Sequence, residues 1–254
     1  MSIIRPASHP ATNQKVFELV TAEQILDKKV LDVGAGRGYM SQMLGGYLKK
    51  HGRKPSEVIT ACDLFPEFFD YPDITCEKLA FSDRLPFADV SFDVVYAIEV
   101  LEHLQNPYSF IREAFRVLKP NGKVIISVPN VLNVNSRIAY FCHGFFDMFE
   151  PLSFKDEDAG RLCGHIMPLN YFYIDHSMRR EGFSKTQVVS DKIKTSSHLL
   201  YMALYPLFKV ASQRFKKATV KKNPYLYEVN RDSLNLMNSK TILCSRSAIV
   251  IGQK

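Results

Sequence analysis

The chain has 254 residues, 46% hydrophobic and 23% charged, with a formal net charge of +7 at neutral pH. This length and composition fit one globular domain with a sizeable core, and no apolar run reaches the length of a membrane-spanning helix. Five scattered cysteines without a C-x-x-C pair, and an N-terminus without an apolar signal core, argue against secretion, a disulfide framework and a zinc cluster, so we expect a cytoplasmic protein.

The first predicted helix runs from about Thr12 to Leu26. Its apolar residues recur at helical spacing, so one face must be covered. This face could close over a ligand or pack on a sheet, and packing is the interpretation we favour.

The sequence KVLDVGAGRGY organises the rest of the chain. A short apolar strand, Val30–Val33, is followed by Gly34, Gly36 and Gly38 at alternate positions, and then by a predicted helix, Tyr39–Lys50. Glycine allows a sharp turn and lets a ligand lie against bare backbone. A strand, a glycine turn and a helix form the opening unit of a nucleotide-binding α/β sheet.

Two kinds of ligand compete for this turn. A dinucleotide site prefers G-x-G-x-x-G, but here the third glycine comes one residue early and Asp32 would face the pyrophosphate. An acid suits a ligand with a cationic group instead. The segment resembles the first motif of the class I S-adenosylmethionine-dependent methyltransferases, which implies that Asp32 faces the methionine end of the cofactor. The resemblance also implies that the turn residues bind the cofactor: Gly34, Ala35, Gly36 and Gly38.

The second predicted strand, Val58–Cys62, ends at an acid, and a third strand candidate is Thr75–Leu79. An acid at the end of the second strand of such a sheet accepts hydrogen bonds from ribose hydroxyls. The resemblance therefore implies that Asp63 and the adjacent Leu64 bind the cofactor. Alternatively, Asp63 caps the turn that follows it.

The stretch LPFADVSFDVVYAIEVLEHL, Leu85–Leu104, makes the resemblance specific, because many small-molecule and glycan methyltransferases carry L-P-F, then S-F-D, then E-V-L-E-H-L. Phe92–Ile98 is the predicted strand, and Glu99 lies at its carboxyl end, where open α/β sheets bind ligands. We therefore count Glu99 among the cofactor-binding residues. Family members often carry an acid before L-P-F that recognises adenine, and Ser82 and Asp83 are the candidates here.

Glu99, Glu102 and His103 would share one face if the chain turns helical after the strand. This E-x-x-E-H pattern is similar to the metal-binding motif of small-RNA 2′-O-methyltransferases and ubiquinone-pathway O-methyltransferases, with His165 as the candidate for completing the site. Many relatives with E-V-L-E-H-L are not known to need a metal. We therefore predict His103 as the catalytic residue and no metal, while a metal site or a purely structural histidine stays open.

The remaining pattern matches the same family, and the resemblance implies a Rossmann-like methyltransferase fold: an α/β, doubly wound, mostly parallel seven-stranded sheet with an antiparallel last strand, in a single domain of residues 1–254. The predicted elements are a helix at Asn106–Leu118, a turn at 119–122, a strand at Lys123–Val128, a helix at Tyr173–Glu181, and strands at Ser184–Val189 and Ser247–Ile251.

Two insertions interrupt this pattern, at about 130–165 and 191–230. The first is rich in aromatic residues, contains Asp156–Asp158, and should shape the substrate pocket. The second has an apolar stretch followed by 209–222, which carries six basic residues and no acid. It could lie peripherally on an anionic membrane, form a lid or a dimer contact, or be a solvated helix. Nucleic-acid binding is disfavoured because aromatic and basic residues do not alternate.

These features together predict an S-adenosylmethionine-dependent methyltransferase that methylates an oxygen of a small or carrier-linked acceptor, such as a saccharide, a quinone precursor or a lipid intermediate. Three alternatives stay open: a metal-dependent RNA 2′-O-methyltransferase, a non-catalytic cofactor-binding or scaffold protein, and a nicotinamide-dependent oxidoreductase. The oligomeric state cannot be read from the sequence.

Overall fold

A computed structural model describes residues 4–80, 84–153 and 164–254. The strands in this part of the chain are β1 (Val30–Val33), β2 (Ile59–Asp63), β3 (Cys76–Lys78), β4 (Phe92–Ile98), β5 (Leu118–Pro129), β6 (Lys185–Ser190) and β7 (Ser247–Gln253). The helices are α1 (Pro10–Thr21), α2 (Tyr39–Lys50), α3 (Pro55–Val58), α4 (Pro107–Val117), α5 (Val134–His143), α6 (Tyr171–Glu181), α7 (Thr195–Lys222), α8 (Pro224–Leu236) and α9 (Lys240–Cys244).

The strands form one seven-stranded sheet in the order β3-β2-β1-β4-β5-β7-β6. β1 pairs in parallel with β2 and β4, whereas β7 lies between β5 and β6 and runs antiparallel to both. The predicted fold class, including the antiparallel last strand, is therefore confirmed. The carboxyl ends of the parallel strands and the start of β7 meet at one edge of the sheet, here called the carboxyl edge.

Alternate side chains of each strand pack against helices on opposite faces. Val30 belongs to a buried cluster with Val16 and Val20 of α1, whereas Leu31 belongs to a cluster that includes residues of α4 and α6. Both faces of the sheet are thus covered, as the apolar strand sequences require. The first helix packs on the sheet, which was the interpretation favoured above.

Several predicted boundaries were wrong. The predicted helix Thr12–Leu26 is α1 followed by a separate 3₁₀ turn at Ile25–Asp27, because Gln24 adopts a left-handed backbone with φ of 55°. The predicted turn at 119–122 is instead the irregular beginning of β5, with Asn121 at φ of 64°. The predicted third strand shortens to β3, and α5 within the first insertion was not predicted.

The second insertion folds mainly into two helices, α7 and α8. One side of α7 packs through Leu200, Tyr201, Leu204 and Phe208 against a small buried cluster that joins α5 to α9. Among the described residues, no helix is both long and apolar enough to cross a lipid bilayer.

Candidate active site

The glycine turn after β1 has a backbone that only glycine adopts easily. Gly34, Gly36 and Gly38 have φ of 72°, 52° and 84°, all in the left-handed region. The N–H groups of Gly34 and Ala35 donate to the carbonyl of Cys62 at 2.9 and 3.2 Å, which fastens the turn to the end of β2. A Cβ atom on Gly34 would lie 2.4 Å from Cγ2 of Val100, so the turn also fits closely against the residues after β4.

Asp63 anchors this turn from the end of β2. Its Oδ2 accepts a hydrogen bond of 2.8 Å from the N–H of Gly36, and its Oδ1 accepts one of 2.9 Å from the N–H of Phe65. The capping role considered above therefore exists. Each carboxylate oxygen has a second lone pair, so the side chain can still accept a hydrogen bond from a ligand hydroxyl. Leu64 follows directly and is partly buried.

Asp32 lies beneath the turn rather than on its surface. Its side chain is directed toward α2, where the hydroxyl of Ser41 donates a hydrogen bond of 2.7 Å to Oδ2, and the residue is only 3% exposed. Burial raises the pKa of Asp32 to about 6, although the Ser41 hydrogen bond opposes this shift. An ionised Asp32 places a poorly solvated negative charge directly under the glycine turn.

Glu99 lies at the carboxyl end of β4 in a left-handed conformation, with φ of 52°. Its N–H donates to the carbonyl and the hydroxyl of Ser127 at 3.0 and 3.1 Å. Its Oε1 accepts hydrogen bonds from Nη1 of Arg246 at 3.0 Å and from the hydroxyl of Ser247 at 2.9 Å. The residue predicted to bind the cofactor is therefore held by the beginning of β7.

A polar network surrounds Arg246 and joins distant parts of the chain. Asp191 accepts from the hydroxyl of Thr12 at 2.8 Å and from the N–H of Ser247 at 2.9 Å, and lies 3.9 Å from the Arg246 guanidinium. The Asp191 side chain is fully buried and that of Arg246 is 18% exposed. The sequence does not predict this network, because Glu99 and Arg246 are far apart in the chain and no local pattern links them.

Glu102, His103 and His165 bring metal-ligating atoms together near the end of β4, all within 4.8 Å of one another. The segment Leu101–His103 is a 3₁₀ turn rather than the helical turn considered from the sequence. Glu99 does not belong to this group, since its carboxylate is bonded to Arg246. The distant histidine named from the resemblance does belong to it.

The surroundings of these three side chains suit a divalent cation. Glu102 is completely buried and neither carboxylate oxygen has a hydrogen-bond partner among the described residues, and burial raises its pKa well above the usual range. Nδ1 of His103 lies 3.0 Å from the carbonyl of Gly164, and Nδ1 of His165 lies 2.7 Å from that of Met148. Carbonyl acceptors at Nδ1 leave Nε2 of each ring as a ligand, and two imidazoles with one carboxylate suit a borderline cation such as Zn²⁺ or Mn²⁺.

Burial lowers the pKa of His103, opposed by its contact with Gly164, so its imidazole is neutral at neutral pH. It can therefore serve as a metal ligand or as a base. The prediction of a catalytic His103 without a metal stays a prediction, but the grouping favours the metal alternative. Ser82 and Asp83, the adenine candidates, and Asp156–Asp158 of the first insertion lie outside the described residues.

Residues 31–126 match the protein family described as a methyltransferase domain. The chain is 38% identical over 109 residues to a ubiquinone biosynthesis O-methyltransferase of Pseudomonas fluorescens, covering 41% of this chain and 45% of that protein. It is 32% identical over 111 residues to a probable S-adenosylmethionine-dependent methyltransferase of Mycolicibacterium smegmatis, covering 43% of this chain and 41% of that protein. The chain thus matches less than half the length of these curated relatives.

The fold as a whole is similar to that of an S-adenosylmethionine-dependent methyltransferase from Mesorhizobium loti. The TM-score is 0.53 at 14% identity, and the match covers 96% of this chain and 99% of that structure. The segment shared with the family contains the glycine turn, Asp63, Glu102 and His103, whereas His165 and Arg246 lie outside it.

Proposed function

We propose that this chain, whose residues 31–126 match the methyltransferase domain family, uses S-adenosylmethionine to transfer a methyl group to an oxygen atom of a small or carrier-linked acceptor. The observation that carries the choice of oxygen is the group formed by Glu102, His103 and His165. A hydroxyl acceptor must lose its proton, and this group supplies either a Lewis acid site or a base. The relative named for ubiquinone biosynthesis supports an acceptor of the quinone-precursor kind.

The glycine turn and its two acids are the residues that would hold S-adenosylmethionine. The left-handed glycines would let the cofactor lie against backbone. Asp63, which already accepts from the N–H of Gly36, would also accept from ribose hydroxyls. The buried charge of Asp32 favours a cationic ligand over a pyrophosphate. When bound, the cofactor supplies a methyl group that its sulfonium already activates, so the protein has mainly to orient the acceptor, an effect worth roughly 7–11 kcal/mol.

Glu102 and the two histidines would hold a divalent cation, which as a Lewis acid lowers the pKa of a hydroxyl bound next to it. The carbonyls of Gly164 and Met148 fix the orientation of both rings. The neutral His103 also has the protonation state that a base requires, with Nε2 as the atom that takes the proton. Arg246 holds Glu99, which follows β4 directly and precedes Glu102 by three residues.

The test is transfer of a methyl label from S-adenosylmethionine to fractionated cell extract and to a polyhydroxylated aromatic compound, with and without a chelator. We expect label in a small organic product, loss of that label in Glu102→Gln, and wild-type labelling in a control variant, His176→Asn, on the exposed side of α6. Label found only in RNA would replace this proposal by an RNA 2′-O-methyltransferase. Cofactor binding without transfer to any fraction would indicate a non-catalytic protein.

A further inference from the structure

The outer side of α7 carries a band of exposed side chains whose character changes halfway along the helix. Most neighbouring members are three or four residues apart; Met202 and Leu207 are five apart, with the exposed Ala203 and Pro206 between them, so the band covers roughly 140° of the helix circumference. We call this band the α7 stripe: Leu199, Met202, Leu207, Val210, Arg214, Lys217 and Lys221, all exposed. The first half is aliphatic and the second half is basic.

The side chains of the aliphatic half have exposed fractions that are high for apolar residues. Leu199 and Met202 are each 63% exposed, Leu207 is 62% and Val210 is 49%. Four such side chains next to one another form a contiguous apolar patch, and such patches mark interaction surfaces, whereas isolated exposed apolar residues do not. The opposite side of α7 is the one that packs on the protein, through residues such as Leu204 and Phe208.

The basic half has no acidic neighbour on its own helix, because the segment 209–222 contains six basic residues and no acid. From Leu199 to Lys221 the stripe is about 33 Å long, since an α-helix rises about 1.5 Å per residue. The stripe therefore combines an aliphatic half with a cationic half. These two halves are complementary to a surface whose interior is apolar and whose outer layer carries anionic groups.

We infer that the α7 stripe docks this protein onto an anionic lipid bilayer. The aliphatic side chains would enter the boundary between headgroups and acyl chains, and Arg214, Lys217 and Lys221 would contact lipid phosphates. Because the exposed polarity of α7 changes along the helix axis, its aliphatic half would lie deeper in the headgroup region than its basic half. This agrees with the finding that no described helix can cross a bilayer.

The stripe is poorly suited to a second copy of the chain or to RNA. Parallel pairing of two stripes would oppose like charges, and antiparallel pairing would bury cations against aliphatic side chains; both arrangements are unfavourable. RNA-binding surfaces add aromatic side chains on which bases stack, whereas the exposed aromatic residues of α7, Tyr205 and Phe215, lie outside this stripe.

The stripe is also close to the carboxyl edge of the sheet. The inner side of α7 packs against Leu243 and Cys244 of α9, and the N–H of Lys194 donates to the carbonyl of Cys244 at 2.8 Å. Arg246, the partner of Glu99, follows two residues after Cys244. The helix that carries the stripe is therefore anchored next to the segment that leads into the beginning of β7 and holds Glu99.

The first test is sedimentation of the full chain with vesicles of phosphatidylcholine alone or with about one third phosphatidylglycerol, at about 0.1 and 0.5 M salt. We expect binding only to the anionic vesicles, weakened at high salt. The triple variant Arg214→Gln, Lys217→Gln, Lys221→Gln should bind about 100-fold more weakly, at about fivefold per residue. A matched control removes three exposed lysines elsewhere, Lys50→Gln, Lys54→Gln and Lys185→Gln, and should bind far more tightly than the stripe variant.

The second test measures insertion of the stripe into the bilayer by tryptophan fluorescence. The sequence contains no tryptophan, so an introduced tryptophan gives the only tryptophan signal. Leu207→Trp places one fluorophore in the stripe, and Tyr173→Trp places one on exposed α6. We expect anionic vesicles to shift the emission of the first variant to the blue and to allow quenching by brominated lipids, while the second is unchanged. Equal vesicle binding by the stripe variant and its charge-matched control would overturn the inference, as would tight binding to single-stranded RNA or self-association through α7 without vesicle binding.

Discussion

The hydroxyl of Ser41 donates a hydrogen bond of 2.7 Å to Oδ2 of Asp32, inside the protein and beneath the glycine turn. Burial removes water from around the carboxylate and raises the pKa of Asp32 to about 6, although the side chains of Ser41 and Tyr96 oppose this shift. An unfolded aspartate has a pKa near 3.9. The group therefore favours folding at acidic pH, and this contribution is lost as the pH rises through about 6.

We expect Asp32→Asn to stabilise the ligand-free protein at about pH 8, by on the order of 1–3 kcal/mol, because the variant no longer buries a charge. The gain should shrink as the pH falls through about 6 and vanish below about pH 3, where the wild-type residue is protonated in both states. Urea unfolding at three pH values measures it, with Asp232→Asn, 82% exposed at its side chain, as the control. A gain that is constant with pH would contradict the buried charge.

The same substitution should weaken the binding of S-adenosylmethionine. Loss of one poorly solvated negative charge near a sulfonium is expected to reduce affinity by about tenfold or more, which is at least about 1.4 kcal/mol. S-Adenosylhomocysteine lacks the sulfonium charge, so its affinity should fall less. Calorimetric titration with both ligands gives the ratio, and an equal loss for both would argue that Asp32 does not act through charge. For the wild-type protein we expect affinity for S-adenosylmethionine to fall below pH 6.

The glycine turn offers a matched pair of substitutions. Gly34→Ala adds a methyl group 2.4 Å from Val100 as well as left-handed strain, whereas a Cβ atom on Gly36 would meet nothing within 4 Å. Gly34→Ala should therefore cost about 2–4 kcal/mol of stability and Gly36→Ala only about 1–2 kcal/mol. Thermal unfolding of both variants tests this. Adding Val100→Ala should recover part of the loss in Gly34→Ala, and no recovery would mean that the contact with Val100 is unimportant.

The cluster of Glu102, His103 and His165 predicts stabilisation by a divalent cation. At a concentration about 100 times the dissociation constant, binding contributes about 2.7 kcal/mol, or roughly 5–10 °C in melting temperature for a domain of this size. We expect Zn²⁺ or Mn²⁺ to raise the melting temperature of the wild type and of His176→Asn, and to leave Glu102→Gln and His165→Asn unchanged. If neither cation changes the melting temperature of the wild type, the proposal that Glu102, His103 and His165 bind a cation would be wrong.

Arg246 is the residue whose loss should damage the carboxyl edge most. Arg246→Gln would leave the largely buried carboxylates of Glu99 and Asp191 without their cation, at a cost of about 2–4 kcal/mol. Removing one acid as well, in Arg246→Gln with Asp191→Asn, should be less harmful than the sum of the single changes. The control is Arg231→Gln, which breaks an exposed pair with Glu228 and should cost at most about 1 kcal/mol. Chemical denaturation of the wild type, the two single variants Arg246→Gln and Asp191→Asn, the double variant and the Arg231→Gln control measures these differences.

Local sequence signals predicted the centre of the sheet well. The glycine turn, the strand before Glu99 and the helix ending at Gly182 each combine apolar periodicity with a residue that fixes the backbone, so their places could be inferred. The predicted element boundaries were wrong where a residue other than glycine adopts a left-handed backbone conformation, as Gln24 and Asn121 do. Such conformations follow from tertiary packing and leave no mark in the local pattern.

The chemistry of the site was predictable only in part. Spacing brought Glu102 and His103 together, but only the resemblance suggested His165, and nothing indicated that Arg246 would hold Glu99. The charge of Asp32 was expected at the surface of the turn, whereas the direction of its side chain toward Ser41 depends on the register of β1 against its neighbours.

The position of β7 between β5 and β6 has a consequence for synthesis on the ribosome. β7 comes after β6 in the chain, yet β6 pairs with the sheet only through it. While residues 247–253 are still being translated, the nascent chain has an open apolar edge on β5, and β6 has no neighbour within the sheet. Unpaired edges of this kind recruit other strands. The growing polypeptide is therefore exposed to wrong strand pairing at this stage, and β7 both shields β5 and directly follows Arg246, whose guanidinium holds Glu99.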